Sequence, residues 1–195
     1  MILVKNPATG EVISEVPHNS IEEAREAIDA AKSAQLLWEK IPAIERAKYL
    51  NQISQKLRDN EDFLARVISE EQGKILRLAK EEVNNAADYI DYMAGWARKY
   101  EGEIVQSDRS NEHIFILKAP FGVVSGILPW NFPFFLIARK MAPALITGNT
   151  IVIKPSEETP NNALEFAKLV AETDLPKGVF NVVCGLGETV GEELS

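Results

Sequence analysis

The chain reads as an α/β protein in which an N-terminal helical layer and two β-hairpins lead into a partial Rossmann-like parallel βαβαβ sheet. Three observations predict this. From Ser20 to Tyr100 apolar residues recur every three or four positions, the period of buried helix faces. Two alternating segments, ILVKNPATGEVISEVP at the start and Glu103 to Lys118 further on, are each divided by a polar turn and read as hairpins. From Phe121 onward short apolar strands alternate with helices, which implies a parallel sheet with right-handed crossovers.

The first hairpin turns at Pro7-Ala8-Thr9-Gly10. Ser20, with Glu23 three residues on, forms a capping box for a helix whose inward stripe is Ile21, Ala24, Ala27, Ile28 and Ala31. Pro42 suits a first helical turn, and Ile44, Ala47, Leu50, Ile53 and Leu57 follow it at helical spacing. A third helix follows Asn60, with Phe63, Leu64, Val67 and Ile68 inward and Gly73 as its C-cap. A longer one is expected from about Ile75 to Tyr100, on the face Leu76, Ala79, Val83, Ala86, Ile90, Met93 and Ala97. The second hairpin pairs Ile104-Val105 with Ile114 to Leu117, and such a β-branched ribbon seeks another sheet edge, as in an oligomer. Then come a strand over Gly122 to Leu128, a helix over Pro133 to Ile146 and a strand over Thr150 to Lys154. A helix over Pro160 to Thr173 with Thr159 as N-cap, a strand over Val179 to Cys184 and a last short segment from Glu188 complete the order. No linker separates the parts. Residues 1–195 are therefore taken as one partial cofactor-binding unit: 1–102 hairpin and helices, 103–118 an oligomerisation-type hairpin, 119–195 the nucleotide-binding half.

Charge and cysteine usage exclude several classes of function. Twenty-nine acidic residues against 21 basic give a net charge of −8 with no basic cluster, which excludes nucleic acid as a partner. A single cysteine, Cys184, rules out an internal disulfide framework and suits a reducing compartment, so the cytoplasm is expected. No apolar run approaches the ~18 residues of a membrane span, and the N-terminus lacks the pattern of a signal peptide. His18 and His113 are far apart, so no metal site is expected.

In open parallel sheets ligands bind outside the carboxyl ends of the strands, and polar residues gather there. Asn131 follows the first parallel strand; it is either the N-cap of the next helix or an amide placed to stabilise an oxyanion. Lys154 and Glu157 follow the second strand and suit either a surface ion pair or the paired hydroxyls of a ribose. Gly185-x-Gly187 follows the third, with a spacing to Gly191 that misses the phosphate-binding fingerprint. Cys184 ends an apolar strand and reads as a buried structural thiol.

PWNFP at Pro129 to Pro133, GN at Gly148-Asn149, KPSE at Lys154 to Glu157, the NPATGEVI opening and the LPKGVFNVV run together resemble the NAD(P)-dependent aldehyde dehydrogenase superfamily over nearly the whole chain. The stretch Ala87 to Ile104 and the run NFPFFLIARKMAPAL look like its bacterial lactaldehyde and glycolaldehyde branch. The resemblance implies oxidation of a small aldehyde: a cysteine thiolate attacks, hydride passes to the nicotinamide, and a glutamate-activated water releases the acid. It makes Asn131 the oxyanion donor. Leu128, Pro129, Trp130 and Ser156 become cofactor-lining residues, Lys154 and Glu157 a clamp on the adenosine ribose, and Gly187 the close approach to the adenine. A carboxylate at Glu157 favours NAD over NADP, since it repels a 2′-phosphate. Arg139, placed about 80° round a shared helix from Asn131, would border the aldehyde entrance and favour polar aldehydes.

The catalytic cysteine, glutamate base and catalytic domain that the resemblance calls for are not found in these residues, so the chain alone is expected to be inactive. It is read as the N-terminal NAD-binding part of such an enzyme, associating with the remaining family domains or as a homo-oligomer. The alternative is a stand-alone remnant that only binds NAD or another subunit.

Overall fold

The computed structural model describes all 195 residues, Met1–Ser195. Strands β1 (Ile2–Lys5) and β2 (Val12–Val16) pair antiparallel, and helices α1 (Ile21–Trp38), α2 (Ala43–Asp59), α3 (Glu61–Gln72) and α4 (Leu76–Ala94) follow. A second antiparallel pair is β3 (Glu103–Gln106) with β4 (His113–Ile116). The parallel sheet has the order β5 (Val123–Ile127), β6 (Thr150–Lys154), β7 (Phe180–Val182), with α5 (Phe135–Ile146) and α6 (Asn161–Ala171) as its connections.

Strand β6 organises the core because it is central and every one of its five residues is buried. Its side chains alternate between the two faces. Ile151 and Ile153 join the main core with Leu50, Leu64, Ile90, Ile137 and Phe166 from α2 to α6, whereas Val152 packs with Ala24 and Ala31 of α1 and with Val183. Helix α1 thus covers one face of the sheet, and the hydroxyl of Thr150 donates to the Ala31 carbonyl at 2.9 Å. Complete burial of each β6 Ile or Val stabilises the fold by roughly 1.5–3 kcal/mol, which is why a sheet covered on both faces tolerates so few polar residues. Gly178, ahead of β7, is required at that contact: its φ is +85°, and a Cβ would lie 2.8 Å from the Ala30 carbonyl oxygen.

The helical layer grips α5 at both ends with buried charges. Glu82 of α4 accepts hydrogen bonds from the amides of Phe134 and Phe135 at 2.9 and 3.0 Å. At the far end Arg46 of α2 donates through Nε to the Ile146 carbonyl at 3.1 Å. A carboxylate at the N-terminus and a guanidinium at the C-terminus both complement the helix dipole. Helix α6 is held likewise: the two oxygens of Glu71, on α3, accept from the amides of Asn161 and Asn162, each at 2.8 Å.

The hairpins, the capping box at Ser20, the left-handed C-cap at Gly73 and the parallel strands lie where the sequence puts them. Three expectations need correction. The long helix ends at Ala94 and tightens into a 3-10 turn over Gly95–Arg98. Ile21, Ile44, Phe63 and Leu76 sit on predicted apolar stripes yet are exposed, each ahead of the first buried residue of its helix. Thr159 does not cap α6. It is buried with its hydroxyl unpartnered, while the Glu71 carboxylate from another helix takes both free amides at once.

Candidate functional site

Parallel pairing sets Ile127 beside Lys154 and Ile153 beside Val182, so the three loops that leave the strands emerge on one edge of the sheet. The pairing runs slightly past the strands, with the Leu128 amide donating to the Lys154 carbonyl at 2.9 Å and the Val183 amide to the Ile153 carbonyl at 2.9 Å. Leu128 is therefore buried, while Pro129 and Trp130 beyond it are exposed.

Lys154 is no surface residue: only 2% of it is exposed, and its ammonium donates to the Pro155 carbonyl at 3.0 Å and to Glu157 Oε2 at 3.2 Å. Partial burial pushes the Glu157 pKa up, but a backbone amide and the Lys154 ammonium outweigh it and hold the carboxyl below its ordinary value. It is an ionised acceptor with one side open to solvent. Ser156 is buried, its hydroxyl accepting from the Glu158 amide at 3.2 Å. Around Gly187 no atom lies within 4 Å of where a Cβ would stand, so a flat group can approach the backbone there. Trp130 and Glu157 share an open cavity of about 500 Å³ whose other walls include Glu71 and Gln72 of α3 and Lys5 of β1.

Asn131 is not a helix cap. It lies in a bend before α5, and Glu82 takes the cap position's work. The hydrogen bonds that reach Asn131 end on its backbone carbonyl, from Gln72 Nε2 at 2.9 Å and from Lys74 Nζ at 3.2 Å. Its side-chain amide stays exposed on the same edge as Lys154. Because Asn131 precedes the helix, the 80° relation to Arg139 does not hold; Arg139 sits in the second turn of α5, exposed, and lines neither that cavity nor the next. That second cavity, about 410 Å³, opens between Phe132, Phe135, Tyr89, Asn85, Asp88 and Glu82 and is not lined by Asn131.

Cys184 is structural. Burial pushes its thiol up to about 11 against the pull of nearby Lys154, and its backbone is stitched to Asn19 by two hydrogen bonds of 2.7 and 2.8 Å. Glu71, Gln72, Lys74 and Glu82, which support the site, carry no signal of that role in the sequence: a glutamate inside an amphipathic helix reads as a solvated face. The one clue is that both continue a buried stripe: Glu71 lies three residues after Ile68, and Glu82 lies between Ala79 and Ala86.

The aldehyde dehydrogenase family model matches residues 1–195 in full. The chain belongs to the aldehyde dehydrogenase family. Among curated relatives, lactaldehyde dehydrogenase of Escherichia coli is 64% identical over 192 residues, covering 98% of this chain and 40% of that enzyme. The 3,6-anhydro-alpha-L-galactose dehydrogenase of a Vibrio species is 45% identical, with the same two coverages. The crystal structure of the E. coli lactaldehyde dehydrogenase superposes with a TM-score of 0.98 over 99% of this chain and 40% of its own. A 3,6-anhydro-L-galactose dehydrogenase solved in complex with NAP gives 0.95 at 43% identity, over 98% of this chain and 40% of its own. The chain thus spans about 40% of the length of the aldehyde dehydrogenases it matches, and within that span both fold and sequence follow the family. No helix is long and apolar enough to cross a membrane.

Proposed function

We propose that this chain is the nucleotide-binding segment of an NAD-dependent aldehyde dehydrogenase that oxidises a small hydroxyaldehyde such as lactaldehyde or glycolaldehyde. The observation that carries the reading is the common sheet edge: Asn131, the Lys154–Glu157 pair and Gly187 leave three adjacent parallel strands side by side. The 64% identity to a lactaldehyde dehydrogenase supports the substrate class.

The residues suit a dinucleotide. Lys154 donates and ionised Glu157 accepts, the pattern that a ribose diol satisfies. The carboxylate disfavours a 2′-phosphate, hence NAD over NADP. Leu128, Pro129, Trp130 and Ser156 are assigned to the cofactor's path past the first two strand ends, where Trp130 lines the 500 Å³ cavity, and the open side of Gly187 admits the adenine. Bound there, NAD supplies the hydride acceptor. Asn131 supplies a side-chain N–H for the oxygen that becomes negative when the aldehyde carbon turns tetrahedral. The 410 Å³ cavity, which reaches Phe132 next along the chain, has the size and mixed lining for a small polar aldehyde. Cys184, the one cysteine, is buried with a raised thiol and is not the nucleophile, so the thiolate comes from outside these residues. Arg139 lines neither cavity, so the role left to it in aldehyde preference is at the approach to the site; an unchanged preference between polar and alkyl aldehydes in Arg139→Leu would remove that role.

In a full-length enzyme carrying this segment, Asn131→Ala should lower kcat about 100-fold or more with KM little changed. An unchanged kcat would refute the oxyanion role. The reading of the chain as an association module draws on one observation, the hairpin β3–β4, whose eight residues are all exposed, with Ile104 at 78% and Phe115 at 64%. We assign it to contact between subunits. The 195-residue chain alone, given NAD and glycolaldehyde, should form no NADH; formation would overturn the assignment of the nucleophile.

A further inference from the structure

Lys74 sits at the turn between α3 and α4, and its charge is almost fully out of water, with 11% of the side chain exposed. Three groups surround its ammonium. The Glu82 carboxylate, 1% exposed, pairs with it directly; the Asn131 carbonyl accepts from it at 3.2 Å; and the Phe132 ring lies beneath it at 4.3 Å from Nζ to the ring centroid. The other oxygen of Glu82 accepts from the amides of Phe134 and Phe135. Gln72 adds a second donor to the Asn131 carbonyl. Residues 131–135 are therefore clamped at the carbonyl of Asn131, the ring of Phe132 and the amides of the first helical turn. Every clamp originates on α3, on α4 or on the turn that joins them.

We propose that Lys74, backed by Glu82, is a positioning residue for the Asn131 amide. The inference rests on the reading of Asn131 as oxyanion donor. An asparagine in a bend has two free side-chain torsions and, without anchors, an adaptable backbone; an oxyanion donor works only when it is already aimed at the developing charge. Fixing the carbonyl and the following amides fixes the peptide plane from which the Asn131 side chain departs, and Lys74 itself lines neither cavity. The ion pair is buried, so its geometry is not loosened by solvent, and removing one partner strands the other.

The test is a double-mutant cycle in the full-length enzyme, read as kcat for glycolaldehyde oxidation, with KM for NAD followed in parallel. Asn131→Ala should cost about 100-fold. Lys74→Met should cost about tenfold, a fraction of the loss that a misplacement of roughly 1 Å brings. The double variant should be no slower than Asn131→Ala alone, since Lys74 acts through that side chain, and KM for NAD should hold throughout. Lys74→Arg should recover most of the rate. Should Lys74→Met fail to fold with Glu82 left unpaired, Lys74→Met/Glu82→Gln removes both charges and enters the cycle in its place. Losses that multiply, or a wild-type kcat in the Lys74 variant, overturn the proposal. If Asn131→Ala is damaging and Lys74→Met is silent, only the positioning role fails; if Asn131→Ala is silent, the oxyanion reading fails and the positioning role with it.

Discussion

Two buried glutamates do the same structural task at opposite corners of the sheet edge, and they differ in how their charge is met. Glu82 caps α5 and is paired with Lys74. Glu71 caps α6 with amide donors only: two backbone N–H groups and the side chain of Asn162, at 2.6 Å. Desolvation dominates at Glu71 and pushes its pKa up to about 7, although the three donors pull the other way. Amides thus satisfy the lone pairs of a buried carboxylate without meeting its charge. The proposed oxyanion donor is held at the charge-paired corner. At the other corner desolvation raises the Glu71 carboxyl.

The largest test breaks the paired corner. Glu82→Ala leaves two helix amides without a partner and the Lys74 ammonium buried alone; it should cost about 3–5 kcal/mol in chemical denaturation. Glu82→Gln, which keeps an acceptor for the amides, should cost less. A loss below that of an ordinary surface substitution would show that the corner is solvated.

The second test is the titration of Glu71. Between pH 4.5 and about 7 the folded state keeps a proton that the unfolded chain has released. Stability should therefore fall as pH rises through that window, by about 3 kcal/mol in all, and level off above it. Glu71→Gln should abolish this decline, so the variant gains on the wild type from pH 5 to 7.5. Parallel stability profiles for the two proteins would mean that the amides meet the charge after all.

The smallest effect belongs to the local cap. Ser20 accepts from the Glu23 amide at 3.1 Å while Glu23 reaches back to the Ser20 amide at 2.7 Å, all at the surface. Ser20→Ala should cost about 1 kcal/mol, measured as a shift in denaturation midpoint. A loss equal to that of Glu82→Ala would erase the distinction between local and long-range caps.

That distinction also marks how far the residues could be read in order. The capping box at Ser20, the turn at Gly73 and the burial of β6 follow from neighbours within four positions, and each lies where the pattern puts it. The alternation of strands with helices put Asn131, Lys154, Glu157 and Gly187 at one carboxyl edge, but left their roles open; those were implied only by the resemblance of PWNFP and KPSE to the family. What the sequence alone determined was the set of elements, the family and the residues on that edge. Only the tertiary structure decided that Lys154 is buried, that α1 covers the Val152 face of the sheet, and that Thr159 and Asn131 are not caps. Those outcomes depend on groups 50 to 120 positions away, such as Glu82 on Phe134 or Ala31 on Thr150. A buried carboxylate with two free oxygens outcompetes any short side chain nearby for a helix's open amides, and no local spacing records which helix will bring it there.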